Sequence, residues 1–332
     1  MRFKAQLLNF ICIFFLLSCE ANYENKDIIY FGISQKPQNL DPRFASDAAS
    51  EKINNLIYSS LIYFDENYKI KSDIVSYKLI TDKEYKFTLQ ENLPSFHNGS
   101  VLDINDIIRT LENIRANPMS PLADDLKNIK YISKQSEHDF SINLKTPDIN
   151  FLQKLHLAIL PSELLNTEHN FSSQPVGSGL FKYISLKNKI RIQRISDDQI
   201  IEFIEIKDPT VRALKLIKGE IDIIQNDIPV EVVNFLDDQS AIKISRTIGS
   251  NISYLGFNFN DILLKDKRLR QAIAMSIDRK ELIKYFLDKN TRIAEQLFPP
   301  EHWVSINLNP EIFNPDHARK IIKILSPDSR IT

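Results

Sequence analysis

Cysteine is almost absent from this chain. The two present, Cys12 and Cys19, both fall near the start, and the remainder has none. That excludes internal disulfides, zinc–thiolate sites and a cysteine nucleophile from the body of the protein. Glycine is scarce as well, with 7 in 332 residues. The formal net charge is -1, and no lysine–arginine block stands out, so nucleic acid is not expected as a partner. The histidines are His97, His138, His156, His169, His302 and His317, and none has H-E-x-x-H spacing or a cysteine neighbour. Gly177-Ser178-Gly179 is no nucleophile elbow, because it follows a loop and precedes a strand. It lacks the spacing and the Lys-Ser/Thr of a phosphate loop too. Neither an enzyme nor a metal or other cofactor is expected.

The length exceeds what one hydrophobic core usually serves, so two or more lobes are expected. Residues 1–18 have the form of a signal peptide. Arg2 and Lys4 precede an apolar core from Phe10 to Leu17, well short of the roughly 20 residues that span a bilayer. The polar run 20–27 suits a tether.

The most legible stretch runs from Glu84 to Ile114. Tyr85, Phe87 and Leu89 alternate with Lys86, Thr88 and Gln90, which predicts a strand with one apolar face. Asn98-Gly99 predicts a tight turn. Asp103 is placed to cap a helix, with Asp106 in its first turn and Ile104, Ile107, Ile108, Leu111 and Ile114 on one stripe. By periodicity alone this is a compact α+β unit and nothing more.

The residue order adds to that. A strand with F-x-L, then a Phe, a small polar residue, Gly and an acidic-capped helix resembles the signature region of the family 5 extracellular solute-binding proteins. These are the oligopeptide-, dipeptide- and nickel-binding receptors of ABC importers. Phe87, Leu89, Phe96, Gly99 and Asp106 match, while Gln90, Asn92 and Asn98 depart. Leu40-Asp41-Pro42, followed by a helix over Ala48 to Ser60 and by Leu61 to Asp65, resembles the family's opening, although Asp41-Pro42 also fits a simple turn. Pro175 to Tyr183, PVGSGLFKY, resembles its P-V-G-T-G-P-Y segment. Lys218 to Ile224 has its G-x-x-D form, and Ser253 to Asn260 is similar to its Y-L-x-F-N strand, which crosses between lobes. Lys267 to Lys280 resembles a family helix through Arg270, Ala272, Ile273, Ile277, Asp278 and Arg279, and a last amphipathic helix begins at Asn314. Arg268, Arg270 and Arg279 equally fit a solvated face.

The resemblance implies an α/β fold of the two-lobed periplasmic-binding-protein type, in the class with an extra small subdomain and with the second lobe incomplete. It implies a lipoprotein signal peptide over 1–18, a tether over 19–27, lobe I from 28–57 and 155–250, the small subdomain from 58–154, and a partial lobe II from 251–332. Leu16-Leu17-Ser18-Cys19 resembles a bacterial lipobox, with lipid attached at Cys19; an ordinary secretory signal with an incidental cysteine is the alternative. The implied site is a cleft closed by hinge motion. Carried over by position, its cleft or hinge residues are Asp41, Gly177, Ser178, Gly179 and Asn258.

The function implied is binding of a short peptide or similar small solute for transport, with an ABC importer permease and its ATPases as partners. The protein is expected on the cell-envelope membrane, facing the periplasm or exterior. Family members continue well beyond this length, so either the product is truncated or a second chain completes lobe II, and ligand retention is expected to be weak or absent. An envelope interaction module that binds no solute is the competing reading.

Overall fold

A computed structural model describes residues 28–186, 189–247, 249, 251–287, 291–306 and 313–325. The leader, the tether and Cys19 lie outside the described residues.

The chain opens with β1 (Ile28–Ile33). Asp47 then accepts a hydrogen bond from the Ser50 amide and starts α1 (Ala48–Ile57). This helix stops three residues before the expected Ser60, because Tyr58 turns to extended backbone at φ -113°. A small hairpin of β2 (Tyr63–Phe64) and β3 (Ile70–Lys71) follows.

Next come β4 (Val75–Thr81) and β5 (Glu84–Leu89). In β5 Tyr85, Phe87 and Leu89 are buried and the alternate residues are not, as the alternation predicts. Gly99 turns the chain at φ +96°, and α2 (Ile104–Ala116) starts on a capping box. The Asp103 carboxylate accepts from the Asp106 amide, and the Asp106 carboxylate from the Asp103 amide. Ile104, Ile107, Leu111 and Ile114 form its buried stripe. After the short α3 (Ala123–Leu126) come β6 (Ile129–Lys134) and β7 (Asp139–Leu144).

These strands make an antiparallel sheet in the order β4-β5-β7-β6. Phe87 faces Phe140 across it, with the rings stacked at 4.9 Å. Pro147 ends the β7 run, and a 3-10 turn (Phe151–Leu155) and the short α4 (Ser162–Leu165) lead out of the subdomain.

The first lobe is built on β8 (Phe181–Leu186), β9 (Lys189–Arg194), β10 (Ile200–Glu205) and β1. α5 (Pro209–Ile217), β11 (Ile223–Ile224) and α6 (Val230–Asp237) complete it. The strand order is β11-β1-β10-β9-β8. β1 runs parallel to both of its neighbours, and β10, β9 and β8 pair antiparallel.

Two hydrophobic clusters result. One holds Leu61 to Ile159 around the antiparallel sheet, and the other joins Leu40, Ile53, Ile57 and Tyr58 to Leu160, Phe171, Phe181, Ile192 and Phe203. The first cluster takes in Leu61 and, on the way out, Leu155, Leu157 and Ile159, while Tyr58 and Leu160 pack in the second.

The remaining segment holds α7 (Lys267–Met275), α8 (Arg279–Phe286) and α9 (Pro315–Leu325). α9 packs on α7, and the small residues Ala272 and Ala318 are buried. The expected single helix over Lys267 to Lys280 is two helices, because Asp278 caps α8 by accepting from the amides of Lys280 and Glu281. Ser253 to Asn260 forms no strand, against the expectation. A strand needs a ladder partner, and none pairs with this segment among the described residues.

Candidate solute-binding site

The glycine motif is built by close approach. Gly177 and Gly179 lie against the carboxyl end of α1. A Cβ on Gly177 would sit 2.1 Å from the Ile57 carbonyl oxygen, and one on Gly179 would sit 2.5 Å from that of Leu56. The Gly179 amide donates to the Ile57 carbonyl at 2.8 Å, and the Ser59 hydroxyl donates to the Ser178 carbonyl at 2.8 Å. The first of these bonds satisfies a carbonyl that the end of α1 leaves open.

His97 ties the same segment to the subdomain. Its amide donates to the Gly177 carbonyl at 2.8 Å. Its Nδ1 accepts from the Gly177 amide at 3.4 Å, so Nε2 carries the proton and donates to the Gly179 carbonyl at 3.1 Å. Burial lowers the His97 imidazole below its ordinary pKa, with the Gly179 carbonyl opposing and Lys182 adding to the effect.

Asp41 is turned inward. Arg43 holds it bidentately, with Nε to Oδ1 at 2.9 Å and Nη2 to Oδ2 at 2.6 Å, and Arg43 Nη1 donates to Asn113 on α2. The guanidinium lies over the rings of Phe44 and Phe171, 5.3 Å from each centroid. Tyr58 brings the two motifs together. Its hydroxyl donates to the Leu40 carbonyl at 3.1 Å, and its ring borders Gly177. Burial, then the Asp41 carboxylate, pushes the Tyr58 phenol well above its ordinary pKa.

Asn258 is not part of this junction. It is exposed in a turn, accepting from the amides of Asn260 and Asp261. Ser178 is buried, and its hydroxyl has no hydrogen-bond partner among the described residues; nor does either side-chain polar atom of Asn54, one turn back along α1 from Tyr58. Tyr58 and His97 escape sequence reading because each acts through a partner distant in the chain. A histidine immediately before Asn98-Gly99 carries no pattern of its own.

Residues 76–324 match the profile of the bacterial extracellular solute-binding proteins, family 5 Middle. The chain belongs to that family. It is 25% identical over 315 residues to the oligopeptide-binding protein AppA of Bacillus subtilis, covering 86% of this chain and 55% of that protein. Among solved structures, NikZ from Campylobacter jejuni in complex with Ni(L-His) superposes with a TM-score of 0.75 at 24% identity, over 91% of this chain and 63% of that one. The structure of Bacillus subtilis AppA with a nonapeptide gives 0.71 at 23% identity, over 90% and 64%. The fold is therefore that of the two-lobed periplasmic-binding proteins. The chain spans about half the length of the curated relatives it matches.

Proposed function

We propose that this protein is the solute-binding component of an ABC importer, taking a short peptide or similar small solute and passing it to a membrane permease and its ATPases without catalysing a reaction. The observation that carries this is the family match over residues 76–324. The relatives' printed names favour a peptide, since an oligopeptide-binding protein and di/tripeptide-binding proteins are among them. Asp41, Gly177, Ser178 and Gly179 shape the junction of lobe and subdomain behind the cleft, and Asn258 lies on the path between lobes. Lipid on Cys19 holds the protein to the envelope membrane, facing the periplasm or exterior, by burying acyl chains without a spanning helix.

One observation favours a protein partner in addition. Beyond residue 250, apolar side chains stand open to solvent, among them Tyr285, Phe286, Trp303 and Phe313. A surface of that kind is normally covered. Further polypeptide completing the second lobe would cover it; an interaction module without solute would use it to hold another protein.

Trp303 is the single tryptophan and is 66% exposed, so its fluorescence reports on the second lobe. Titration of the mature protein with a defined pool of di- to nonapeptides should give a saturable change. A flat response, with a protein partner recovered on the exposed apolar face, would favour the interaction module.

A further inference from the structure

Three loops leave the carboxyl ends of the parallel strands: after β1 at Ser34, after β10 at Ile206 and after β11 at Gln225. In an open α/β sheet this is the edge that holds ligands. Two residues tie the three loops together. Arg212, in the first turn of α5, is the largest fully buried side chain among the described residues, 2% exposed. Its Nη1 donates to the carbonyls of Ile206 at 2.8 Å and Lys207 at 3.0 Å, and its Nη2 donates to that of Asp227 at 2.6 Å. Asp227 in turn accepts the Ser34 hydroxyl on its carboxylate at 3.1 Å. Among the described residues, the buried guanidinium thus meets main-chain carbonyls only. A buried cation is costly unless its donors are filled, and filling these needs two of the loops in place at once.

The loop after β11 is the one that needs holding. Asn226 and Asp227 have φ of 57° and 51°. That left-handed region is disfavoured for residues with a Cβ, although asparagine and aspartate enter it more readily than most. Two such residues in succession persist where their surroundings fix them.

We propose that Arg212 and Asp227 are positioning residues of the solute site: together they lock the loops after β1, β10 and β11 into one preorganised wall against which the solute is held. The solute-holding part rests on the receptor reading above; the lock does not. A wall ordered beforehand spares the ligand the cost of ordering it.

The test is amide hydrogen exchange on the mature full chain, paired with titration of the same peptide pool. Arg212→Met should speed exchange over 225–228 and 34–38 by about tenfold or more and leave β5 and β7 unchanged. Asn226→Gly added to Arg212→Met should restore much of the protection, because glycine enters the left-handed region freely. Ser34→Ala, which leaves the buried cation alone, should loosen the same segments by a smaller factor. Peptide affinity should fall by about tenfold in Arg212→Met and recover with the glycine. If Arg212→Met does not fold, Arg212→Lys and Ser34→Ala decide, since a lysine point charge cannot fork between the two loops. Unchanged exchange in both, or loosening that glycine at 226 fails to rescue, overturns the lock. Loosened loops with peptide affinity unchanged overturn the positioning role. Loosened loops in a protein that takes no peptide leave the lock standing and sink the receptor reading.

Discussion

The imidazole of His97 lies with Nε2 3.1 Å from the carbonyl oxygen of Gly179, and its other nitrogen accepts the Gly177 amide. One side chain from the subdomain therefore reads both glycines of the junction, and only the neutral Nε2–H tautomer can do so. Protonation at Nδ1 would remove the acceptor. Burial lowers the His97 pKa from its ordinary value, and burial lowers that of His156 as well. The unfolded chain then binds more protons than the folded one as pH falls below the ordinary histidine value. Stability from these groups is present above that value and is lost as pH falls through the folded-state pKa. Urea unfolding followed from pH 8 to pH 5 should show decreasing stability, with a shallower slope in His97→Gln. Identical slopes in the two proteins would refute the role of His97.

Close approach at the glycine pair makes a graded prediction. Gly177→Ala would place a methyl 2.1 Å from a backbone oxygen, which cannot swing aside as a side chain would. A loss of about 3 kcal/mol or more is expected. Gly99→Ala meets nothing within 4 Å but sits at φ +96°, so only the backbone conformation is penalised, by about 1–2 kcal/mol. Denaturation midpoints of the two variants decide it; equal losses would mean that contact is not what fixes glycine at 177.

The Asn54 amide is buried, and among the described residues neither its donor nor its acceptor is paired. Replacing an unsatisfied buried polar group with an apolar one of similar shape removes a desolvation penalty. Asn54→Leu is expected to be neutral or to stabilise by up to about 2 kcal/mol. A loss greater than that, measured by chemical denaturation, would show that the amide has a partner on which the junction depends.

Much of the fold was legible because local chemistry and tertiary packing agree. The alternation in β5, the Asp103 cap and the Gly99 turn each fix backbone by rules that act within a few residues. The strand over Ser253 to Asn260 was not obtained, since a strand is completed by its neighbour and the apolar pattern cannot supply one. The division of α7 from α8 was missed for a related reason. Asp278 reads as part of a continuous helical pattern until its carboxylate is seen to accept from the next turn. At the junction, the sequence marks Gly177 and Gly179 by their scarcity and by the resemblance of their segment to a family motif. What they face, Ile57, Tyr58 and His97, lies about eighty to one hundred and twenty residues away along the chain and leaves no local trace.

Anchoring has its own prediction. Cys19→Ala should abolish incorporation of labelled palmitate and release the protein from the membrane fraction in carbonate-free buffer. Continued membrane retention without label would contradict a lipid anchor at that residue.

The central claim is that this chain is a solute receptor, and native mass spectrometry of the mature protein, extracted gently from its own envelope, tests it most directly. The account predicts a mass increment from a bound peptide, alone or together with a second polypeptide. A bare species that takes up nothing from a peptide pool would contradict it.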